Sequence, residues 1–592
     1  MESTSSSVPI SLFSLRQTAA EVLGMAVVNL FPGAQLVEGG ATEFGFFYDV
    51  HAEQPIDEQG LILLEESMRG LIKSGIEIRK IDMMRENAAN FLEHRGQTFK
   101  ADAVHRAKSN IVSLLQIGDF SDYAPSTYPL TTQEVGAFKL LGVETTTHYL
   151  EDEGECLVKR IHGTAFPEKQ SLKKYLKART ASLKHDYRKI AEHMQLFSIA
   201  EEISDRAWLW LPNGTILKDL LIDWWKKEHY LRQFLPLSSP KLVKESLILK
   251  AGAYGFSEEA YTPHSCEIDG VAYVVPPTLT PVHTALFLSK NRATNQLPVR
   301  YAEIGTIIPG IKTGHYRGLL HSNLVEADFA HVFCNFEYLE AELISSLQFI
   351  DKIIKMFGFE YYWCFTEYRH KNRVTGGFKE KAQLAFLKAF DSSGLSYTTG
   401  EPEEFFEGPI ACAKLIDSYG REWNGPKIGI DFRASEFLKG QGQAADRTTS
   451  AVLVIVQSLF GSLERFVALL VEHCSGKLPL WLAPEQVRVA VVGDSHRAYA
   501  EGLWERLRNE GYRAGINASS ESLSKKVHEA QELNIPYLLV VGEKEENSNQ
   551  VTLRSSTDET HQQMMTIEEL LNKFRKEVLS KQNAIHGDEK TL

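Results

Sequence analysis

The chain has 592 residues, which is too long for a single hydrophobic core and predicts three or four domains. Hydrophobic residues make up 43% and charged residues 24% of the sequence, as is ordinary for a globular protein. The net charge of −13 argues against a protein that grips nucleic acid over its whole surface, although one basic face would suffice for local binding.

Cysteine usage and hydropathy indicate the compartment. The six cysteines are scattered without a CxxC pair, which predicts a reduced, cytoplasmic protein with no disulfide framework. No apolar stretch reaches the roughly 18 residues that a transmembrane helix needs, and the N-terminus lacks the basic region of a secretory signal. We therefore expect neither a membrane nor DNA as a partner.

The first part of the chain predicts an α+β domain over residues 10–167, preceded by a flexible N-terminus at 1–9. Residues Leu15–Phe31 are predicted to form an amphipathic helix that Pro32-Gly33 ends, and 45–50 a strand. Residues 168–195 carry many Lys and Arg at helical spacing. They predict a linker helix and a candidate basic face for RNA, although such a run is more often simply solvated.

Residues 196–482 form the large central unit. Near its start, Trp224 and Trp225 contribute to a broad apolar face, as ordinary core packing requires. Near the end of the unit, residues 452–456 predict a buried strand or helix entry.

An amphipathic helix is predicted to open at Gly461-Ser462. Arg465 lies close to its apolar face and requires an anionic partner. That partner is either an internal carboxylate, such as Glu464 or Glu472, or a nucleotide phosphate, which suits the planar guanidinium.

The last unit, residues 483–582, alternates apolar strands with helices. VRVAVV at 487–492 and YLLVVG at 537–542 predict buried strands of a parallel sheet in an α/β layer. Residues 583–592 are predicted to be a disordered tail. The chain as a whole therefore predicts a multidomain α+β protein.

Motifs along nearly the whole chain, from about residue 10 to 580, resemble class II aminoacyl-tRNA synthetases in the form of threonyl-tRNA synthetases. GFFYDV, LLQIGDF, GAFKLLGVE and KRIHGTAF resemble the bacterial editing domain, and GSLERF with LPLWLAP resembles the third class II motif. The resemblance implies an editing-like α+β domain, an antiparallel-sheet catalytic-type domain and an α/β anticodon-binding-type domain. It also implies that a long helix followed by a strand ending at Pro240 forms the first class II motif, through which the chain makes a homodimer. Arg465 is implied to hold ATP.

The resemblance assigns the editing chemistry to positions where this sequence has different groups. An HxxxH pair on the first helix is replaced by Gln17 and Glu21, and a downstream Cys and His by Ala124 and Tyr128; Asp122 remains. One carboxylate does not make a hydrolytic site, so we expect no editing activity. Gln17 and Glu21 are predicted to form an exposed helix edge, although with Asp122 they could bind a polar ligand.

The family holds zinc through Cys, His and His, and its positions here are Thr280, His331 and Val456. A nearby family Asp is replaced by Phe329. Because one nitrogen cannot hold zinc, we do not expect the metal. The resemblance implies no catalytic residue, although His283 and His331 are retained at family positions. A rebuilt zinc set of Cys266, His283 and His331 is the alternative.

The phosphate-binding groups that the resemblance implies are also changed. In the second motif an Arg becomes Pro309, a Glu becomes Ile311 and a second Arg becomes His321. Family Tyr, Lys and Gln positions are occupied by three other residues: Glu407, Ile410 and Gly429. ATP binding would then depend on the remaining cationic candidates: Arg465, Arg317, Lys312 and His321.

Two functions remain open on this basis. The first is a tRNA-binding or regulatory paralogue without standard threonylation or editing, because two independent sites have lost their groups. The alternative is an active ATP-dependent ligase, either for a less polar acid in a pocket with Phe329 and Val456 or, by resemblance alone, for threonine. In the last domain Lys525, Lys526 and Arg554 are candidates for contacting RNA phosphates.

Overall fold

The computed structural model describes residues 12–580, apart from 43–44, 53, 108, 124–130, 151–153, 183–185, 201–202, 252–264, 291–293, 309–317, 323, 369–376, 401–405, 418–419, 442–451 and 557–561. The chain divides into two compact units, one of residues up to 181 with 419–421, and one of the remainder. The predicted N-terminus 1–9 and tail 583–592 lie outside the described residues.

The first unit packs helices on a four-stranded antiparallel sheet and a smaller three-stranded one, in the orders β1-β2-β7-β6 and β3-β4-β5. Its elements are α1 (Leu12–Leu30), β1 (Gln35–Thr42), β2 (Gly45–His51), α2 (Glu58–Ser74), β3 (Ile78–Met84), α3 (Arg85–Glu93), α4 (Thr98–His105), β4 (Ile111–Ile117), β5 (Phe120–Tyr123), β6 (Ala137–Leu150), β7 (Gly154–Phe166) and α5 (Lys169–Ser182).

Helix α1 is the centre of this unit. The helix was correctly predicted, but its amphipathic character was not, because every residue from Leu15 to Val27 is buried. Gly24 lets the helix approach the sheet closely, since a Cβ there would lie 2.6 Å from the Tyr48 ring.

The second unit begins with α6 (Tyr187–His193), so residues 168–195 contain two helices where the sequence predicted one. Its central part continues with β8 (Phe197–Ala200), β9 (Ser204–Trp210), α7 (Pro212–Leu231), β10 (Leu235–Pro236), β11 (Val243–Lys244), α8 (Glu245–Lys250), β12 (Ser265–Ile268), β13 (Val271–Val274), α9 (Thr280–Leu288), β14 (Val299–Ile307), β15 (Val325–Cys334), α10 (Phe336–Phe357), β16 (Glu360–Thr366), α11 (Phe378–Ser393), β17 (Tyr397–Thr399), β18 (Ile410–Ile416), β19 (Glu422–Ile430), α12 (Phe432–Gln441), β20 (Leu453–Ser458) and α13 (Leu463–His473).

An eight-stranded sheet organises this central part, in the order β10-β14-β15-β20-β19-β18-β16-β17. It is antiparallel from β14 to β16, with one parallel pair at each edge. The predicted strand near 452–456 is β20, and Ser462 caps α13 by accepting from the Arg465 backbone N–H. The antiparallel-sheet prediction is confirmed.

The last domain contains β21 (Val487–Val491), α14 (Arg497–Asn509), β22 (Ala514–Asn517), α15 (Leu523–Glu532), β23 (Tyr537–Val541), α16 (Glu543–Ser548), β24 (Val551–Ser555), β25 (Gln562–Met565) and α17 (Ile567–Ser580). Strands β21 and β23 are parallel, as predicted, whereas β24 and β25 run antiparallel, so the sheet is mixed. All six cysteines are free. Among the described residues, no helix combines the length and apolarity needed to cross a membrane.

Candidate functional site

A pocket of about 360 Å³ opens against the middle of the eight-stranded sheet, at the N-terminus of α9; we call it the central pocket. Apolar side chains and Thr280 form one part of its wall, and three cationic side chains contribute to the rest. The lining includes Thr280, Pro281, Ala327, Phe329, Lys427, Arg433, Val456 and Arg465.

The three family zinc positions are neighbours at this wall: Thr280 and Val456 line the pocket, whereas His331 is fully buried beside them. His331 and Val456 are directly paired across β15 and β20, and His331 Nε2 lies 3.0 Å from Thr280 Oγ1. These groups do not fit a zinc ion. His331 offers the one imidazole, and both of its nitrogens already have hydrogen-bond partners; Val456 has no ligand atom, and Thr280 offers only a hydroxyl.

The alternative zinc set is not assembled either. Cys266 is exposed on β12, whereas His283 and His331 are fully buried. No group of three His, Cys, Asp or Glu side chains suited to a metal ion occurs in the part of the chain that the structure describes.

His283 and His331 belong instead to a buried chain of hydrogen bonds. Their Nδ1 atoms are 2.9 Å apart, and His283 Nε2 is 3.1 Å from Glu303 Oε2. Ser239 donates to the same carboxylate through its backbone N–H and its hydroxyl. Burial, and then the neighbouring His283, hold the pKa of His331 well below its usual value, so its imidazole is neutral.

Asp328, next to Phe329 on β15, is an anchor that the sequence analysis missed. Its carboxylate accepts from Ser458 Oγ, from Trp225 Nε1 and from the backbone N–H groups of residues 459–461. It is 1% exposed. The turn that leads into α13 is therefore tied to β15, which places Arg465 at the central pocket. The only sequence signal was a single Asp within an apolar strand.

Arg465 is half-buried at the rim of the central pocket. Its Nε donates to the Leu320 carbonyl at 3.0 Å, and its guanidinium lies over the Trp423 ring at 5.7 Å. Glu464 and Glu472, the carboxylates considered as partners, are both buried. Arg465 is thus positioned by a carbonyl and an aromatic face, an arrangement that leaves it beside the pocket.

Glu464 gives this region a pH dependence. Burial raises its pKa from an ordinary value of about 4.5 to about 7, against backbone hydrogen bonds that lower it. The folded chain holds this proton when the unfolded chain has lost it, so stability falls as the pH rises from 4.5 to 7. Glu464→Gln should abolish a loss of about 3 kcal/mol over this range, since a tenfold change in proton affinity is about 1.4 kcal/mol.

Urea unfolding of the parent and of Glu464→Gln at pH 4.5 and pH 8 measures this effect. Glu501→Gln, at an exposed position of α14, is the matched control and should follow the parent. If the unfolding free energies of the parent and of Glu464→Gln changed equally with pH, the raised pKa of Glu464 would be contradicted.

The residues at the family Tyr, Lys and Gln positions, Glu407, Ile410 and Gly429, lie close to Phe406 or take part in backbone contacts. Gly429 and Ile410 are directly paired across β19 and β18, and a Cβ on Gly429 would lie 2.7 Å from the Phe406 ring. Glu407 contributes its backbone carbonyl to Phe432 N–H. Phe406 therefore occupies the space beside Gly429 and lines the central pocket.

Other predicted phosphate-binding positions, Pro309, Ile311, Lys312 and Arg317, lie outside the described residues, as does the side chain of His321.

In the first unit, the prediction that Gln17 and Glu21 form an exposed helix edge is wrong. Gln17 is 7% and Glu21 0% exposed, because α1 is buried on all sides. Gln17 accepts from the Ala41 backbone N–H and donates to Glu21. Burial, and then the charge of Asp122, raise the pKa of Glu21 well above its usual value.

Asp122 completes this buried cluster. It accepts from the Tyr48 hydroxyl and pairs with Lys100 Nζ at 2.8 Å, and all three residues are buried. The editing positions are thus part of a packed polar network in the described residues, while Ala124 and Tyr128 lie outside them.

Two further sequence-based expectations need correction. Lys526 is 1% exposed and donates to the carbonyls of Val491 and Ser519, so it is not available for RNA. Lys525 is exposed and paired with Glu521, and Arg554 is half-buried.

Trp224 and Trp225 are buried inside the unit, the first against Phe357, so core packing accounts for them.

Comparisons with known proteins agree with this architecture. Residues 264–474 match the model of the tRNA synthetase class II core domain (G, H, P, S and T), and residues 486–577 match the anticodon binding domain. The threonine–tRNA ligase of Dehalococcoides mccartyi strain CBDB1 is 33% identical, with 98% of each chain covered. That of Sulfurihydrogenibium sp. strain YO3AOP1 is 32% identical, over 97% of this chain and 90% of its own length.

Solved structures show the same similarity. The RNA binding domain of threonyl-tRNA synthetase from Cryptosporidium parvum Iowa II has a TM-score of 0.61 and 26% identity, over 66% of this chain and 98% of its own. A putative threonyl-tRNA synthetase from Aeropyrum pernix, at 18% identity, shares the fold with a TM-score of 0.58, over 68% of this chain and 98% of its own. With its core, its last domain and its full-length relatives in agreement, the chain belongs to the threonine–tRNA ligase family of class II aminoacyl-tRNA synthetases.

Proposed function

We propose that the chain is a threonyl-tRNA synthetase paralogue that binds tRNA or a partner protein and catalyses neither standard threonylation nor editing. One observation carries the proposal: Thr280, His331 and Val456 are neighbours beside the central pocket, and among the three only His331 has an imidazole. Because zinc selects threonine in the family and needs three protein ligands, this pocket is not expected to bind zinc or to select threonine in that way.

ATP–pyrophosphate exchange with each of the twenty amino acids tests this proposal. The expected result is exchange at background with all of them, since loss of transition-state contacts at the α-phosphate and of the substrate ligands removes several kcal/mol. Robust exchange with any amino acid would overturn it. Deacylation of mischarged tRNA should also remain at the uncatalysed rate, because Gln17 and Glu21 are buried in a packed network.

The alternative is an active ATP-dependent ligase with an altered substrate. It is supported by the persistence of a 360 Å³ pocket with Phe329 and Val456 on its wall and Arg465 at its rim. Calorimetric titration with ATP distinguishes the active ligase from the non-catalytic paralogue. Binding that disappears in Arg465→Ala would favour the ligase, and no heat at millimolar ATP would argue against it.

tRNA binding is the proposed role of the basic helix α5, on which Lys169, Lys173, Lys174 and Lys177 are exposed. Filter binding of total tRNA should weaken steeply as salt is raised, because each phosphate contact releases counterions. Reversing two of these charges, Lys173→Glu with Lys174→Glu, should weaken binding, whereas Lys226→Glu on α7 should not. Salt-independent binding, or none, would remove tRNA as the partner.

A cytoplasmic homodimer around Pro240 is also proposed. The end of α7 and the edge strand β10 expose three large apolar residues, Tyr230 at 74%, Leu231 at 64% and Leu235 at 55%. Burying such side chains is worth about 1.5–3 kcal/mol each, so Leu231→Asp should shift the dimer toward monomer by at least about tenfold in Kd. Sedimentation velocity measures this, with exposed Leu579→Asp as control. A parent chain that sediments only as monomer would contradict it.

A further inference from the structure

A second cavity lies on the opposite face of the eight-stranded sheet from the central pocket, and we call it the rear cavity. It has a volume of about 230 Å³ and lies between the end of α7, helix α10 and strands β14 and β20. Side chains alternate between the two faces of a strand, so Gln457 points away from the side of Val456 and toward α10. The residues that line the rear cavity include Arg232, Arg300, Glu342, Ser346, Phe349 and Gln457.

Gln457 is the unusual residue of this cavity. It is 1% exposed, and its Oε1 atom has no hydrogen-bond partner among the described residues. A buried carbonyl oxygen that has lost water without gaining a donor destabilises the folded chain, which is why nearly all such groups are paired in folded proteins. An unpaired amide oxygen at the wall of a cavity is therefore expected to be paired by a molecule that enters the cavity.

Two guanidinium groups supply donors at the same cavity, and each is held in place. Arg300 donates to Glu342 through Nε, at 3.0 Å, and through Nη2. Arg232 donates to Glu228 through Nη1, at 2.9 Å, and lies over the Phe349 ring at 3.5 Å. A guanidinium has five N–H donors, so each arginine retains N–H groups that these contacts do not use. Both arginines are thus fixed donors for an acceptor in the rear cavity.

The charge balance and the hydrogen-bonding groups define the ligand. Each arginine already has its own carboxylate, so the wall offers no uncompensated positive charge to an anion. At about 230 Å³, against about 30 Å³ for each water in the liquid, the cavity has room for a molecule of several non-hydrogen atoms.

We propose that the rear cavity binds a small neutral carboxamide, which donates its N–H to Gln457 Oε1 and accepts through its carbonyl oxygen from Arg300 or Arg232. A carboxamide carries both groups on one carbon atom, and it is uncharged, as this wall requires. The inference goes beyond the proposed function and holds whether or not the chain activates an amino acid.

Gln457→Leu is the informative substitution, because it nearly keeps the size of the side chain and removes the acceptor. Without ligand, this variant should unfold at a higher urea concentration than the parent, since it no longer buries an unpaired oxygen. Gln348→Leu, the same change at an exposed position of α10, should leave the midpoint near that of the parent. A lower midpoint in Gln457→Leu would show that ordered water already pairs Oε1 in the free chain, and it would overturn the proposal.

The second test compares three probes of the same size by saturation-transfer NMR on the full chain: propionamide, butanone and propionate. Butanone lacks the N–H donor, and propionate has a charged oxygen in place of the amide nitrogen. Propionamide should bind about tenfold or more tightly than either, because both of the others leave Gln457 Oε1 without a donor. The preference should disappear in Gln457→Leu and persist in Gln348→Leu.

A crystal of the full chain soaked in propionamide distinguishes a ligand site from a cavity filled with water. The amide should lie in the rear cavity, with its nitrogen at hydrogen-bond distance from Gln457 Oε1 and its oxygen at that distance from an arginine nitrogen. Density for water alone, binding at crystal concentration only, equal binding of the three probes, or a preference unchanged in Gln457→Leu would overturn the proposal.

Discussion

An Asp328→Ala variant is expected to be about 3–5 kcal/mol less stable to unfolding than the parent chain. Asp328 is 1% exposed and accepts hydrogen bonds from Ser458, from Trp225 and from three successive backbone N–H groups. Truncation leaves these buried donors without an acceptor and opens a cavity. Asp328→Asn should recover only part of the loss, because its amide places donors against donors.

Urea unfolding followed by tryptophan fluorescence measures the loss. Asp223→Asn, on the same helix as Trp225 and with a side chain 78% exposed, is the matched control and should change stability by less than about 0.5 kcal/mol. The same small change in Asp328→Ala would show that the turn at residues 458–461 does not depend on this carboxylate.

A second large effect is expected in the first unit, where Lys100→Met should cost about 3–5 kcal/mol. Lys100 and Asp122 form an ion pair at 2.8 Å with both side chains at most 6% exposed, and Glu21 lies beside Asp122. Removing the cation leaves the Asp122 charge uncompensated in a buried site that already contains a second carboxyl group.

Lys139→Met is the natural control, because Lys139 also pairs with a carboxylate of this unit, Glu65, at 2.7 Å but is 48% exposed. An exposed pair is worth about 1 kcal/mol at most. Thermal unfolding of the two variants should therefore differ clearly, and equal losses would rule out the proposed role of Lys100 in the buried cluster.

Local pattern was enough to predict much of the central architecture. The apolar run at 452–456 is strand β20, and the helical repeat after Gly461-Ser462 is α13, because both signals depend on neighbours in sequence. His331 and Val456, two positions that the resemblance assigned to one zinc site, are directly paired across β15 and β20. Both elements could be predicted because the buried face of a strand or helix sets the spacing of apolar residues in the sequence.

The errors have a different cause, which is that polar residues were assumed to be solvated. Gln17 and Glu21 lie on a helix that is buried on every side, and Lys526 donates to two carbonyls inside the last domain. Such partners come from distant parts of the chain. Asp328 binds residues about 130 positions away, and no local period reveals that contact.

The buried chain of hydrogen bonds through His283 and His331 could not be predicted from the sequence for the same reason. His283 was noted as retained at a family position and as a possible metal ligand, and Glu303 was not considered. The hydrogen bonds of this chain join helix α9, the adjacent strands β14 and β15, and the segment before Pro240. Only the packed fold shows that these groups saturate one another.

The most direct test of the central claim is the zinc content of the full chain, measured by plasma mass spectrometry after expression without a histidine tag and dialysis against zinc. The parent chain should hold far less than one zinc, because Thr280, His331 and Val456 provide one imidazole that is already hydrogen bonded. The double variant Thr280→Cys with Val456→His should hold about one zinc per chain. One tightly bound zinc per parent chain would contradict the account.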